Sequence, residues 1–306
     1  MANLRHFFNY WILDPFWGGL DYLTHILLRL MPLSWVSTLG AGIGSLAKHR
    51  FRKANADAIA NMELFFPEIS ESEIKRLVDN MWCNIGRTLT EMVVLDSLDL
   101  KSHVNVINEE MLQGIDRTRP VIFLYPHLGN WEILALLIVR LGFKLNILYE
   151  RLPNRFQRKL LENTRRRSGY ELISPDHQGI RRMYSALDAG ESIGMAMDEF
   201  KHGRIIAPTF NGHPDENGNI RYAIKMARRF GADIISGYCS RGDKNKIKFT
   251  ISACDHYRIK EPPYKDKTDE EIANDINTRC RRWIIDHADQ WYMLHRARIG
   301  DDAGTH

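Results

Sequence analysis

Two side chains able to share a proton stand five residues apart in the segment Pro120–Glu132, PVIFLYPHLGNWE: His127 and Glu132. An imidazole whose one nitrogen is held by a carboxylate keeps a fixed tautomer and offers the other nitrogen as a base. If both residues lay on one helix they would project about 140° apart and could not converge. They converge if the histidine sits in a turn and the glutamate on the helix that follows. The sequence favours that arrangement. Val121–Tyr125 is a five-residue apolar run suited to a buried strand, bracketed by Pro120 and Pro126, and ILALLIVRLG after Glu132 reads as a helix. Asn130 suits the N-cap and would place Glu132 in the first turn, where the helix dipole favours a carboxylate. The plainer alternative is a structural His–Glu hydrogen bond that closes the loop.

The elements that must position this pair follow from the pattern downstream. Candidate strands are Val121–Tyr125, Leu145–Tyr149, Glu171–Ile173, Ser192–Met197, Asp233–Tyr238 and Ile247–Ala253. Candidate helices are Trp131–Leu141, Asn154–Ser168, Gly179–Asp188, Asn219–Phe230 and Asp269–His287. Such alternation predicts an α/β fold, a central mostly parallel or mixed sheet flanked by helices. The first hundred residues read as helical, with Ser70 and Glu73 in capping-box positions. The organisation expected is an N-terminal membrane-associating region over 1–47 and a main domain over 48–306. Within the latter, 48–100 is a helical lead-in and 101–306 the α/β part.

With 306 residues and a formal charge of +4, the chain is mildly basic and long enough for a sizeable core. Cys83, Cys239, Cys254 and Cys280 lie far apart without a CxxC pair, which suggests neither a metal site nor a disulfide framework. No convincing signal peptide opens the sequence. Residues 30–47 lack Asp, Glu, Lys and Arg but contain Pro32 and three glycines, and Asp21, His25 and Arg29 mark one polar face just before them. An amphipathic or partly inserted anchor is expected rather than a full span, with Trp11, Phe16, Trp17, Tyr22 and Trp35 suited to headgroup level. A buried hairpin of two core helices is the alternative. Lys48, His49, Arg50, Arg52 and Lys53 follow, a cluster that would face the cytoplasm and anionic lipid.

Two motifs mislead. GAGIGS at Gly40–Ser45 lacks the sixth-position glycine of a dinucleotide loop and no strand precedes it. Gly190–Gly194, GESIG, fits G-x-S-x-G, but the expected strand follows Ser192 instead of preceding it, the reverse of a nucleophile elbow. The run from Arg151 to Arg167 carries Arg151, Arg155, Arg158, Lys159, Arg165, Arg166 and Arg167 with few acids. It reads as a solvated helix face or a surface for acidic partners. No nucleic-acid-binding motif accompanies it, so nucleic acid is not expected as a partner.

The segment HLGNWE resembles the HxGNWE signature of the bacterial lipid A late acyltransferases, within the glycerolipid and lysophospholipid acyltransferase superfamily with its H-x4-D/E motif. Further blocks carry the resemblance in order: LYERLPN with Arg151, GMAMDEF with Asp198, APTFNG with Phe210 and Gly212, and DQWYMLHRAR with Asp289, Gln290, Trp291, His295 and Arg296. It covers roughly residues 48–298. Ser236 stands where the family usually has proline, and the loop over residues 211–219 lacks the family's Thr/Ser-rich character. Both departures bear on substrate identity more than on reaction type.

The resemblance implies an O-acyltransferase that moves a fatty acyl chain to a hydroxyl of a lipid A precursor, at the cytoplasmic face of a bacterial inner membrane. The donor would be an acyl carrier protein thioester, or acyl-CoA, and no metal or other cofactor is expected. His127 would be the base and Glu132 its orienting and charge-stabilising partner. Gly129, Asn130, Arg151, Asp198, Phe210, Gly212, His295 and Arg296 would bind substrate. Plainer readings stand beside these: a tight turn for Gly129, a solvated arginine for Arg151, a loop cap for Asp198 and an exposed chain end for His295 and Arg296. The alternatives for the whole chain are a related acyltransferase acting on a lysophospholipid, glycolipid or other hydroxylated lipid, and a lipid-binding scaffold without activity.

Overall fold

The computed structural model describes residues 7–201, 204–210, 218–242 and 248–297. Four helices lead in: α1 (Asp14–Arg29), α2 (Leu33–Arg50), α3 (Arg52–Phe65) and α4 (Glu71–Glu91). α4 opens as expected, the Ser70 hydroxyl accepting from the Glu73 amide at 3.3 Å. The GAGIGS segment lies within α2, where its glycines allow backbone contact with α4. A Cβ at Gly44 would come within 2.0 Å of the Trp82 carbonyl oxygen, and one at Gly40 within 2.5 Å of that of Gly86. A larger residue at either position would wedge the two helices apart.

The sheet has seven strands: β1 (Val104–Ile107), β2 (Val121–Tyr125), β3 (Leu145–Leu148), β4 (Glu171–Ile173), β5 (Ser192–Ala196), β8 (Asp233–Arg241) and β9 (Phe249–Tyr257). A separate hairpin pairs β6 (Glu199–Lys201) with β7 (Arg204–Ala207). The spatial order is β1-β9-β8-β2-β5-β3-β4, parallel throughout except for β8 against β9. The connecting helices are α5 (Leu100–His103), α6 (Glu109–Gln113), α7 (Trp131–Arg140), α8 (Arg155–Arg167), α9 (His177–Asp188), α10 (Asn219–Phe230) and α11 (Asp269–Asp286). This is the expected α/β architecture. β1 was not expected: VNVI is four residues long and sits on the sheet edge, so its pattern is too short to separate from the lead-in.

β2 is buried on both faces, as a central parallel strand must be. Val121, Phe123 and Tyr125 pack with α7. Ile122 and Leu124 join the opposite core with α4, α10 and α11. In open sheets of this kind, ligands bind outside the carboxyl ends of the strands. β2 occupies the centre, between β8 and β5, and His127 follows its carboxyl end.

α1 is an inverted amphipathic helix. Its polar face turns inward: Asp21 accepts from Gln157 at 2.6 Å, His25 is buried 3.2 Å from Arg167, and Arg29 pairs with Asp96 at 2.8 Å. Burial first, then the Arg167 and Arg29 charges, push the His25 pKa down. The apolar face turns outward, with Phe16, Trp17 and Tyr22 exposed, Trp11 just before the helix exposed beside them, and Trp35, Leu39, Ile43 and Leu46 continuing the surface along α2. No described helix is long and apolar enough to cross a membrane.

Candidate functional site

Parallel register brings the site together. Tyr125 on β2 pairs with Ala196 on β5, so two residues further along each chain place His127 beside Asp198. The His127 Nδ1 lies 2.8 Å from Asp198 Oδ1, and the His127 backbone N–H donates to Asp198 Oδ2 at 2.9 Å. Oδ2 also accepts from the Trp291 indole N–H at 2.9 Å. Asp198 is 1% exposed and meets donors on both oxygens. An ionised carboxylate can only accept, so beside it Nδ1 is the donor, and in the neutral imidazole Nε2 then presents its lone pair. The His127 side chain keeps 22% of its surface, beside Trp131 with ring centres 4.8 Å apart and Tyr292 at 6.2 Å.

Glu132 does not hold the imidazole, contrary to the expectation from spacing. It is 2% exposed and lies under α8, where Arg165 Nη2 donates to Oε1 at 2.5 Å, Arg165 Nε to Oε2 at 3.3 Å and the Tyr170 hydroxyl to Oε2 at 2.5 Å. The Trp131 indole N–H adds a bond at 3.2 Å. Burial alone would raise the Glu132 pKa. The Arg165 charge and hydrogen bond, the Tyr170 bond and the nearby His127 together hold it below its ordinary value. Burial, reinforced by Glu132, pushes the Tyr170 hydroxyl well up. The geometric reason is direct. The strand partner of His127 is fixed by the sheet, whereas the first turn of α7 aims Glu132 toward α8.

Asn130 is the N-cap residue of α7 by position, but its side chain does not cap; Nδ2 donates to Glu91 Oε2 at 2.9 Å. Gly129 is fully used in the turn. Its φ of +54° favours glycine, and a Cβ would sit 2.6 Å from the Cys239 carbonyl oxygen. Its N–H donates to Gln290 O at 3.1 Å and its carbonyl accepts from Thr88 at 2.8 Å.

The remaining residues scatter. Arg151 leaves β3, two strands from β2, and donates to Ser174 at 3.2 Å with Asp176 3.7 Å away. Phe210 is buried against Phe65 and Trp291, with ring centres 5.0 and 5.8 Å away, and so backs the Asp198 partner. Gly212 lies outside the described residues. His295 packs between Trp82 and Tyr292, and burial, then Arg296, lower its pKa to about 4. It is therefore neutral near pH 7 and brings no positive charge to a phosphate. Arg296 is exposed. Ser192 begins β5 at the opposite edge of the sheet from His127. Among the described residues, no group of three or more His, Cys, Asp and Glu side chains is placed to hold a metal ion.

Sequence reasoning missed Tyr170, Glu91 and Arg241, and it counted Arg165 only as part of a basic run. The available signal was weak: a glutamate inside the apolar stretch TEMVVL and an arginine ending an apolar strand.

A mostly parallel open sheet, with a histidine held by a buried carboxylate at its carboxyl edge, defines the chain as an α/β protein. Residues 5–297 match the bacterial lipid A biosynthesis acyltransferases, and the chain belongs to that family. It is 27% identical over 170 residues to lipid A biosynthesis acyltransferase 2 of Shigella flexneri, 51% of this chain and 53% of that protein. It is 26% identical over 180 residues to the lipid A biosynthesis myristoyltransferase of Escherichia coli (strain K12), 55% of this chain and 56% of that protein. The chain thus spans about half the length of the curated relatives it matches.

Proposed function

We propose that the chain is an O-acyltransferase that moves a fatty acyl group from an acyl carrier protein thioester to a hydroxyl of a lipid A precursor, with His127 as general base. The observation that carries this reading is the geometry of His127, whose Nδ1 lies 2.8 Å from the Asp198 carboxylate and whose Nε2 has no hydrogen-bond partner among the described residues. The acceptor hydroxyl gives its proton to Nε2 as its oxygen attacks the thioester carbonyl carbon. The tetrahedral intermediate collapses by breaking the carbon–sulfur bond, and the imidazolium returns the proton to the departing thiolate. Asp198 stabilises the imidazolium through charge. The N-terminal end of α7, four residues beyond His127, is the nearest positive helix end for the developing oxyanion.

The exposed apolar faces of α1 and α2 support peripheral association with the cytoplasmic face of an inner membrane, their aromatic residues at headgroup level. Arg50, Arg52 and Lys53 are exposed beside them and favour anionic lipid. Exposed Lys159 on α8 and its neighbour Arg158 suit an acidic carrier protein.

The test is purified protein incubated with acyl carrier protein thioester or acyl-CoA and a lipid A precursor, followed by mass spectrometry. An added secondary acyl chain supports the proposal, and the two donors separate carrier protein from CoA. Acylation of a lysophospholipid alone would move the assignment to a different acceptor. No transfer to any hydroxylated lipid would leave the scaffold reading.

A further inference from the structure

The turn between His127 and Glu132 is gripped by a buried charge pair distant in sequence from both. Glu91, at the end of α4, receives two bonds from the Arg241 guanidinium at the end of β8, at 2.7 and 3.0 Å. Both side chains are nearly sealed from solvent, 2% exposed for Glu91 and 9% for Arg241. Glu91 Oε2 also accepts from Asn130 Nδ2, and Asn130 is fully buried. Arg241 Nη2 donates to Thr88 Oγ1 at 3.1 Å, and that hydroxyl donates onward to Gly129 O.

Gln290 closes the frame from the third side. Its Oε1 accepts from the Arg241 backbone N–H at 2.7 Å, its Nε2 donates to Arg241 O at 3.2 Å, and its own carbonyl accepts from Gly129 N–H. The next two residues reach the reacting histidine itself. Trp291 donates to Asp198, and the Tyr292 N–H donates to His127 O at 3.0 Å. One connected set of bonds therefore runs from the Glu91–Arg241 pair to both the backbone and the carboxylate partner of His127.

We infer that Glu91 and Arg241 are positioning residues for the reaction: they fix the Leu128–Asn130 turn, and with it the placement of His127 against Asp198. This inference rests on the acyl-transfer role proposed for His127. Three facts separate it from simple stabilisation. The pair contacts the turn through Asn130 and Thr88 on two different atoms, which fixes orientation as well as position. Gly129 has no side chain of its own to hold the turn. A buried ion pair generally stabilises a fold no better than well-packed neutral side chains, so what this pair adds is geometry. A misplacement of about 1 Å at such a turn is enough to lower turnover by about 100-fold.

The double variant Glu91→Gln/Arg241→Gln removes both charges together and avoids stranding either one. It is expected to melt cooperatively near the wild-type temperature, with KM for the acceptor within about twofold and kcat lowered by about 100-fold. Amide exchange over residues 129–133 should quicken, and the His127 ring resonance should move in histidine-labelled protein. If the double variant fails to fold, Glu91→Asp keeps the pair with Arg241 while drawing the carboxylate back from Asn130. It should show the same kcat loss and the same exchange change. Wild-type kcat with wild-type exchange in either folded variant overturns the inference, as does a kcat loss that only tracks the folded fraction. Wild-type protein that transfers no acyl group would sink the acyl-transfer reading, and the exchange and resonance measurements would then decide whether the pair holds the turn.

Discussion

Asp198 and Glu132 are two buried carboxylates at one edge of one sheet, 1% and 2% exposed, both close to the same histidine. Their surroundings assign them different work. Among the described residues, Asp198 meets only neutral-type donors: an imidazole N–H, a backbone N–H and an indole N–H. Its negative charge is left to act on His127. Glu132 meets a guanidinium and a phenol, so most of its charge is spent within the protein. A carboxylate with no cation beside it stabilises an imidazolium as that charge forms, whereas one already paired changes little during the reaction. In the proposed acyl transfer, Asp198 is therefore the partner of His127 in chemistry. Glu132 anchors α7 to α8.

The largest expected effect therefore comes from Asp198→Asn. An amide has one acceptor oxygen where three donors now converge, and its NH2 group would favour the wrong imidazole tautomer. By the behaviour of histidine–aspartate pairs in general, kcat should fall by about 10³- to 10⁴-fold with the fold intact by circular dichroism. His127→Ala should be at least as severe. Near-normal turnover in Asp198→Asn would reverse the roles given to the two carboxylates.

Glu132→Gln should act on stability first. It leaves Arg165, itself almost sealed, without its counter-charge, and breaking one member of a buried pair costs about 3–5 kcal/mol. A combined Glu132→Gln/Arg165→Met change should recover most of that loss in a urea melt, because neutral packing replaces the pair. The pH dependence has a definite sign. The Glu132 pKa is lowered on folding, so its stabilisation is fully present above the ordinary carboxylate range and is lost as pH falls through the folded value. The gap in unfolding free energy between wild type and Glu132→Gln should narrow from pH 7 toward pH 3. A gap that widens would mean the Arg165 contact is not the one that matters. Tyr170→Phe deletes a single bond to the same carboxylate and should cost about 1.5–3 kcal/mol.

This contrast also marks what could be read from the residues alone. The β2–turn–α7 unit was legible because strand, turn and helix are contiguous, and periodicity and capping signals work over such distances. The partner of His127 was not. It comes from β5, some seventy residues on, through a register between two strands that no local pattern encodes. Spacing suggested Glu132 because it was the carboxylate within reach in sequence. The exposed face of α1 was legible as amphipathic, but not its direction: Asp21, His25 and Arg29 turn toward α8 and Asp96, and the rings turn out. That inversion sharpens the test of membrane association. Deleting residues 1–47 would also strip the α2 glycines from α4. Replacing Trp17, Tyr22 and Trp35 with serine leaves those contacts alone and should reduce flotation with anionic vesicles.

The smallest effect is expected at Ser192, and it measures how far the chemistry is confined to one edge. Ser192 opens β5 and Asp198 lies just beyond its end, six residues along an extended chain or about 20 Å apart. The Ser192 amide is tied to Lys144 O at 2.8 Å, a contact that alanine keeps. The side chain is buried, and among the described residues its hydroxyl has no hydrogen-bond partner. Ser192→Ala should therefore leave kcat and KM unchanged and stability within about 0.5 kcal/mol. A dead but folded Ser192→Ala protein would put a nucleophile at the amino edge of the sheet. It would then remove the reason for placing the reaction between His127 and Asp198.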